Sequence, residues 1–84
     1  METYGKDIQA AVAAQIKAEI AAAGWKHVDL AKAAGIPTST LGRYLKGDRD
    51  IPFPAFVTIA RALGIDYVEL SARAQRRLDG KDAL

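Results

Sequence analysis

Arg43 offers the most specific chemistry in this 84-residue chain, because a guanidinium presents two parallel N–H donors that match the two major-groove acceptors of guanine. Thr38 and Ser39 lie one turn and a little more before it, with hydroxyls that can hydrogen-bond a base edge and a threonine methyl that can touch thymine. Gly42 stands between. It either lets backbone approach a duplex closely or is simply tolerated, at ~1 kcal/mol of helix propensity against alanine. Around these four candidates for base contact are groups suited to phosphate oxygens: Lys26, His27, Thr40, Lys46 and Arg49. His27 is read equally well as an ordinary surface residue. The chemistry that such a set can perform is recognition of double-stranded DNA, with base contacts specifying and phosphate contacts positioning.

Base readout of this kind needs a helix that presents Thr38, Ser39, Gly42 and Arg43 together, and the pattern supplies one. Between Thr38 and Lys46, Leu41, Tyr44 and Leu45 recur at helical spacing and face inward, which turns the candidate residues outward. Tyr44 is read as half-buried packing. A short stretch before it, Lys26 to Ala34, ends at Gly35, where a tight turn demands positive φ. Two short helices joined this way need a small residue where they meet and an apolar plug at the corner. Ala31 and Ile36 fill those roles, with Leu30, Leu41 and Leu45 as anchors. The spacing therefore predicts a helix-turn-helix over about 26–47.

The remaining elements are helical too. Ile8, Val12, Ile16 and Ile20 form one stripe on a first helix from about Lys6 to Ala23, closed by Gly24. Asp48 to Pro54 is a loop, and Pro54 fits the first turn of a fourth helix that reaches Leu63. Asp66 and Glu69 have capping-box spacing and open a fifth helix expected to end near Leu78, with residues 79–84 as a frayed tail. Val28 is an inward candidate on the second helix, and Trp25 a packing residue. The fold class expected is all-α, a single domain of five helices over residues 1–84, without strands, repeats or a linker.

Composition narrows the function. Half of the residues are apolar and 26% are charged, as in an ordinary globular protein. With no cysteine and one histidine, neither a disulfide, a metal site nor a histidine-based catalytic pair is expected, and no cofactor is implied. No catalytic constellation or phosphate loop can be named, so an enzyme is not expected. No uncharged stretch approaches the ~20 residues of a membrane span, and the N-terminus lacks the order of a signal peptide; a cytoplasmic, nucleoid-associated location in a bacterial or phage-infected cell is the expectation. Net charge is only +2, but residues 26–49 hold Lys26, Lys32, Arg43, Lys46 and Arg49 against Asp29 and Asp48. A local basic stripe on a near-neutral chain suits a small DNA-binding module, although solvated helix faces would explain the charges alone. Arg73, Arg76 and Arg77 read as such a solvated face.

From about Ile16 to Leu70 the chain resembles the phage repressor and Cro family, the XRE-type helix-turn-helix proteins. The resemblance rests on Leu30-Ala31-Lys-Ala-Ala-Gly35-Ile36 to Gly47 and on Ile59-Ala60-Arg61-Ala62-Leu63-Gly64-Ile65 followed by an acidic cap and Leu70. It implies a five-helix bundle whose third helix enters the major groove, usually as a dimer on two-fold related half-sites. It also implies DNA-contacting roles for the positions of His27, Thr38, Ser39 and Arg43. Three positions depart from the family. Pro37 replaces the usual Ser or Thr cap, and Ile20 and Leu45 replace an arginine–acid pair by two apolar residues, a joint exchange that can be neutral or stabilising.

The function that the resemblance implies is a sequence-specific transcription regulator, a phage-type repressor or Cro-like protein that blocks transcription by occupying its operator. The expected partners are operator DNA, an approximate inverted repeat, and a second copy of the chain. Leu70, Ala74 and Leu78 repeat every four residues and are the expected dimer interface, with closure of the monomer core as the competing role. Two other functions share the fold: an antitoxin whose main partner is a toxin, and a protein-interaction module that does not bind DNA. Thr38, Ser39 and Arg43 on one outward face argue against the last.

Overall fold

The computed structural model describes residues 2–83, which form five α-helices: α1 (Glu2–Ala22), α2 (His27–Ala34), α3 (Thr38–Lys46), α4 (Phe53–Ala62) and α5 (Tyr67–Ala83). No strand occurs among the described residues. The core is built from the apolar stripes that the sequence carries. Ile16 and Ile20 of α1, Leu30 and Ala31 of α2, Leu41 and Leu45 of α3, Phe56, Ile59 and Ala60 of α4 and Leu70 of α5 meet in one buried cluster. Ile20 and Leu45 are both in it, so the apolar pair that departs from the family pattern packs as core.

Local chemistry stops the helices where the punctuation suggests. At the end of α2, Gly35 has φ 68°, and the Ile36 N–H reaches back to the Ala31 carbonyl at 2.9 Å; Gly47, φ 82°, ends α3 in the same way. At the start of α5, the Asp66 carboxylate caps the Val68 N–H at 2.7 Å. Glu69 does not complete a capping box; its carboxylate accepts Arg73 and Arg76 instead. Pro54 lies in the first turn of α4, as expected.

Further sequence expectations need correction. Helix α1 begins at Glu2, a turn before Lys6, and α5 runs to Ala83, so residues 79–83 are helical rather than a tail. Ala74 and Leu78 of α5 pack with Ala11 of α1 into a second buried cluster, flanked by Ile8 and Val12. Leu70, Ala74 and Leu78 are 0%, 0% and 3% exposed within one chain and therefore present no apolar surface to a second one. The expected dimer interface is monomer core, because the early turns of α1 supply the cover that the sequence did not reveal. Val28 is also corrected: it is 48% exposed instead of inward.

The seam between α1 and α5 also has a polar rim. Arg73 donates to Glu19 of α1 at 2.7 Å and to Glu69 of its own helix at 2.9 Å. Arg76 also reaches Glu69, and Arg77 donates to Gln15, whose amide donates to Glu19. Read from the sequence as a solvated face, Arg73 and Arg77 instead clasp two helices, while Arg76 bonds within α5.

Candidate nucleic-acid interface

The third helix divides its surface as its period requires. Leu41, Tyr44 and Leu45 are buried, while Thr38, Ser39, Arg43 and Lys46 are exposed, and Gly42 and Thr40 are partly covered. Turns of 3.6 residues place positions 38, 39, 42, 43 and 46 on one face. All four residues expected to contact bases are thus brought together on the side of α3 away from the core. Pro37 is the N-cap residue, and no side chain caps the helix; the first intrahelical bond runs from the Leu41 N–H to the Pro37 carbonyl at 3.0 Å. The leading amides of α3 are left to outside acceptors at the positive end of the helix.

Gly42 is open. A methyl group added there meets nothing within 4 Å, so no intramolecular packing accounts for glycine in this helix interior. Among the described residues, no side-chain hydrogen bond or ion pair engages Thr38, Ser39, Arg43 or Lys46.

The expected phosphate contacts fall into two groups beside this face. Lys46 and Arg49 are exposed at the end of α3 and in the loop after it, where the Arg49 guanidinium lies 5.8 Å from the ring centroid of Tyr44. The buried ring thus gives a long side chain a resting surface. Lys26 and His27 are exposed at the start of α2. Here the expectation of free amides holds only in part: the Lys26 N–H is already given to the Asp29 carboxylate at 2.8 Å, which also sets a negative charge at that helix end.

A residue invisible to sequence reasoning supports the loop. The side-chain oxygen of Gln9 in α1 accepts the backbone N–H of Ile51 at 3.0 Å, and Ile51 is itself buried. Gln9, Tyr44, Gly47 and Arg49 line one cleft, so the early turns of α1 brace the segment that carries Arg49. The partners are 42 positions apart, and no local pattern marks either of them.

Comparison with known families agrees with this geometry. Residues 16–70 match the family model described as helix-turn-helix, a span from within α1 to the first turn of α5 that contains the whole interface. The chain belongs to the XRE-type helix-turn-helix family. As a member of that family it is a DNA-binding transcription regulator. Two crystal structures of the clp gene regulator ClgR from Corynebacterium glutamicum share the fold of this helix-turn-helix protein at 18% sequence identity. One has a TM-score of 0.76, over 83% of this chain and 91% of that one. The other has a TM-score of 0.83, over 90% and 81%. Comparison with curated proteins found no match. Among the described residues, no helix is long and apolar enough to cross a membrane, and no group of side chains could hold a metal ion.

Proposed function

We propose that this helix-turn-helix protein is a sequence-specific repressor of the phage-repressor or Cro type, which lays α3 in the major groove and blocks transcription by occupying its operator. The supporting observation is the outward face of α3. Thr38, Ser39 and Arg43 are exposed on one side of a helix whose other side is locked in the core, beside a glycine that no packing requires. Arg43 reads guanine, Thr38 and Ser39 read adjacent base edges, and Gly42 admits close approach. Lys26, His27, Thr40, Lys46 and Arg49 fix the register on phosphates.

One helix-turn-helix reads too few base pairs to single out a site among millions, so the operator is an approximate inverted repeat bound by two copies about one helical turn apart. Selection of bound duplexes from a random pool tests this directly. Two related half-sites in inverted orientation are expected, and placing the selected site across a promoter should silence it. A pool without enrichment would end the sequence-specific reading.

A further inference from the structure

We infer that Lys6 grips a backbone phosphate of the DNA beside Arg49, so that the early turns of α1 belong to the nucleic-acid interface. The inference rests on the DNA-binding reading above and adds to it a contact from outside the family-matched span, which begins at residue 16.

Lys6 is exposed on the second turn of α1. It lines one cleft with Gln9 of its own helix and with Tyr44, Gly47, Arg49 and Asp50 from the end of α3 and the loop after it. Residues three apart share a helix face, so Lys6 is on the side of α1 from which Gln9 accepts the Ile51 N–H at 3.0 Å. That bond and the buried Ile51 side chain fix the loop against α1. The place of Lys6 next to Arg49 is thus set by the packing of two elements, not by the sweep of two long side chains. Asp7 turns to another flank, where it lines a separate cleft with Arg77 and Leu78 of α5. Helix α1 therefore sorts its charges, with the lysine toward the loop and the acid toward α5.

The chemistry of the cleft suits phosphate. Two cations reach it from different elements, and one acid, Asp50, stands with them. Among the described residues, Asp50 forms no ion pair with either cation, so the acid does not already claim them. The Arg49 guanidinium rests 5.8 Å from the ring centroid of Tyr44, on the helix that carries Arg43 and Lys46 outward. Lys46 and Arg49 therefore lead from the base-reading face directly to Lys6. A duplex that receives α3 in its major groove has a strand running past the end of that helix. An ammonium on a four-carbon stem is suited to reach its phosphates. The competing role is a solvated lysine that merely offsets Asp50, and it differs in a measurable way.

The test compares Lys6→Met, Asp50→Asn and the double variant in the full chain, on the duplex selected by the unchanged chain with its flanking base pairs kept. Both residues are exposed, so the fold should survive, and thermal unfolding checks it. One lost phosphate contact should weaken binding about eightfold at ~0.1 M salt and about threefold at ~0.3 M, and flatten the slope of log affinity against log salt by about one unit per copy bound. The ranking of single-base variants of the site should not change, since phosphate contacts carry no sequence information. Lys6→Arg should retain the affinity, and Lys6→Met should cost the same factor in the Asp50→Asn background. Unchanged affinity and slope in Lys6→Met overturn the contact and leave the DNA-binding reading intact. A loss that vanishes in the Asp50→Asn background makes Lys6 a screen for that acid and overturns the contact as well. An unchanged chain that binds no duplex at low salt overturns the reading on which the contact rests.

Discussion

The guanidinium of Arg73 donates to the carboxylate of Glu19 at 2.7 Å and so ties α5 to α1 across 54 positions of sequence. The Glu19 side chain is only 14% exposed, and the Arg73 hydrogen bond, followed by Gln15, holds its carboxyl below the ordinary value of 4.5 against the opposing effect of burial. Glu69 is lowered for the same reason, through Arg73 and Arg76. A carboxylate that binds its proton less readily when folded stabilises the fold fully above its unfolded value and loses that contribution as pH falls through its folded one. Stability should therefore decline as pH drops below about 4.5, and Arg73→Met should start less stable at neutral pH and show a shallower decline. Urea unfolding in steps between neutral pH and about pH 3 measures both curves; parallel curves would remove the clasp from the acid limb.

Leu78 gives a sharper test of the same seam. Buried against Ala11 and 3% exposed, it is core, so Leu78→Ala should cost roughly 2–3 kcal/mol through lost burial and the cavity left behind. In a domain of this size that lowers the melting temperature by ~10 °C or more. The loss should not depend on protein concentration. A concentration-dependent loss would restore Leu78 to an interface between chains.

Gly42 separates stability from binding. Its exposed side has room for a methyl group, so Gly42→Ala should raise unfolding stability by about 0.5–1 kcal/mol through helix propensity. The same methyl stands where a duplex would approach, and affinity for the selected site should fall. Unchanged affinity in a stabilised variant would mean that glycine is merely tolerated there.

Arg43→Ala should leave thermal stability nearly unchanged, since the side chain is exposed. Binding to the selected site should weaken by ~1–3 kcal/mol, with discrimination relaxed at one guanine position. Competition titrations with single-base variants of the site measure this. Equal weakening on every sequence would assign Arg43 to phosphate instead.

The sequence by itself determined the helix-turn-helix and the face it presents. That information is local: Leu41, Tyr44 and Leu45 recur at helical spacing, Gly35 and Gly47 terminate with positive φ, and periodicity then obliges Thr38, Ser39, Arg43 and Lys46 to face out. Family resemblance, carried by the same local motifs, extended this to the whole span of 16–70. What only the tertiary structure decided concerns pairs far apart in the chain. Ala74 and Leu78 look identical in sequence whether a second copy or the first turns of α1 cover them; the structure shows Ala11 there. Arg73 and Arg77 carry no mark of the Glu19 and Gln15 that receive them, nor Gln9 of the Ile51 amide. Phe53 stands in solvent beside Tyr67 because Phe56, Ile59 and Ala60 occupy the buried side of α4. A helix's period says which residues share a face; how the helices assemble says which faces remain uncovered.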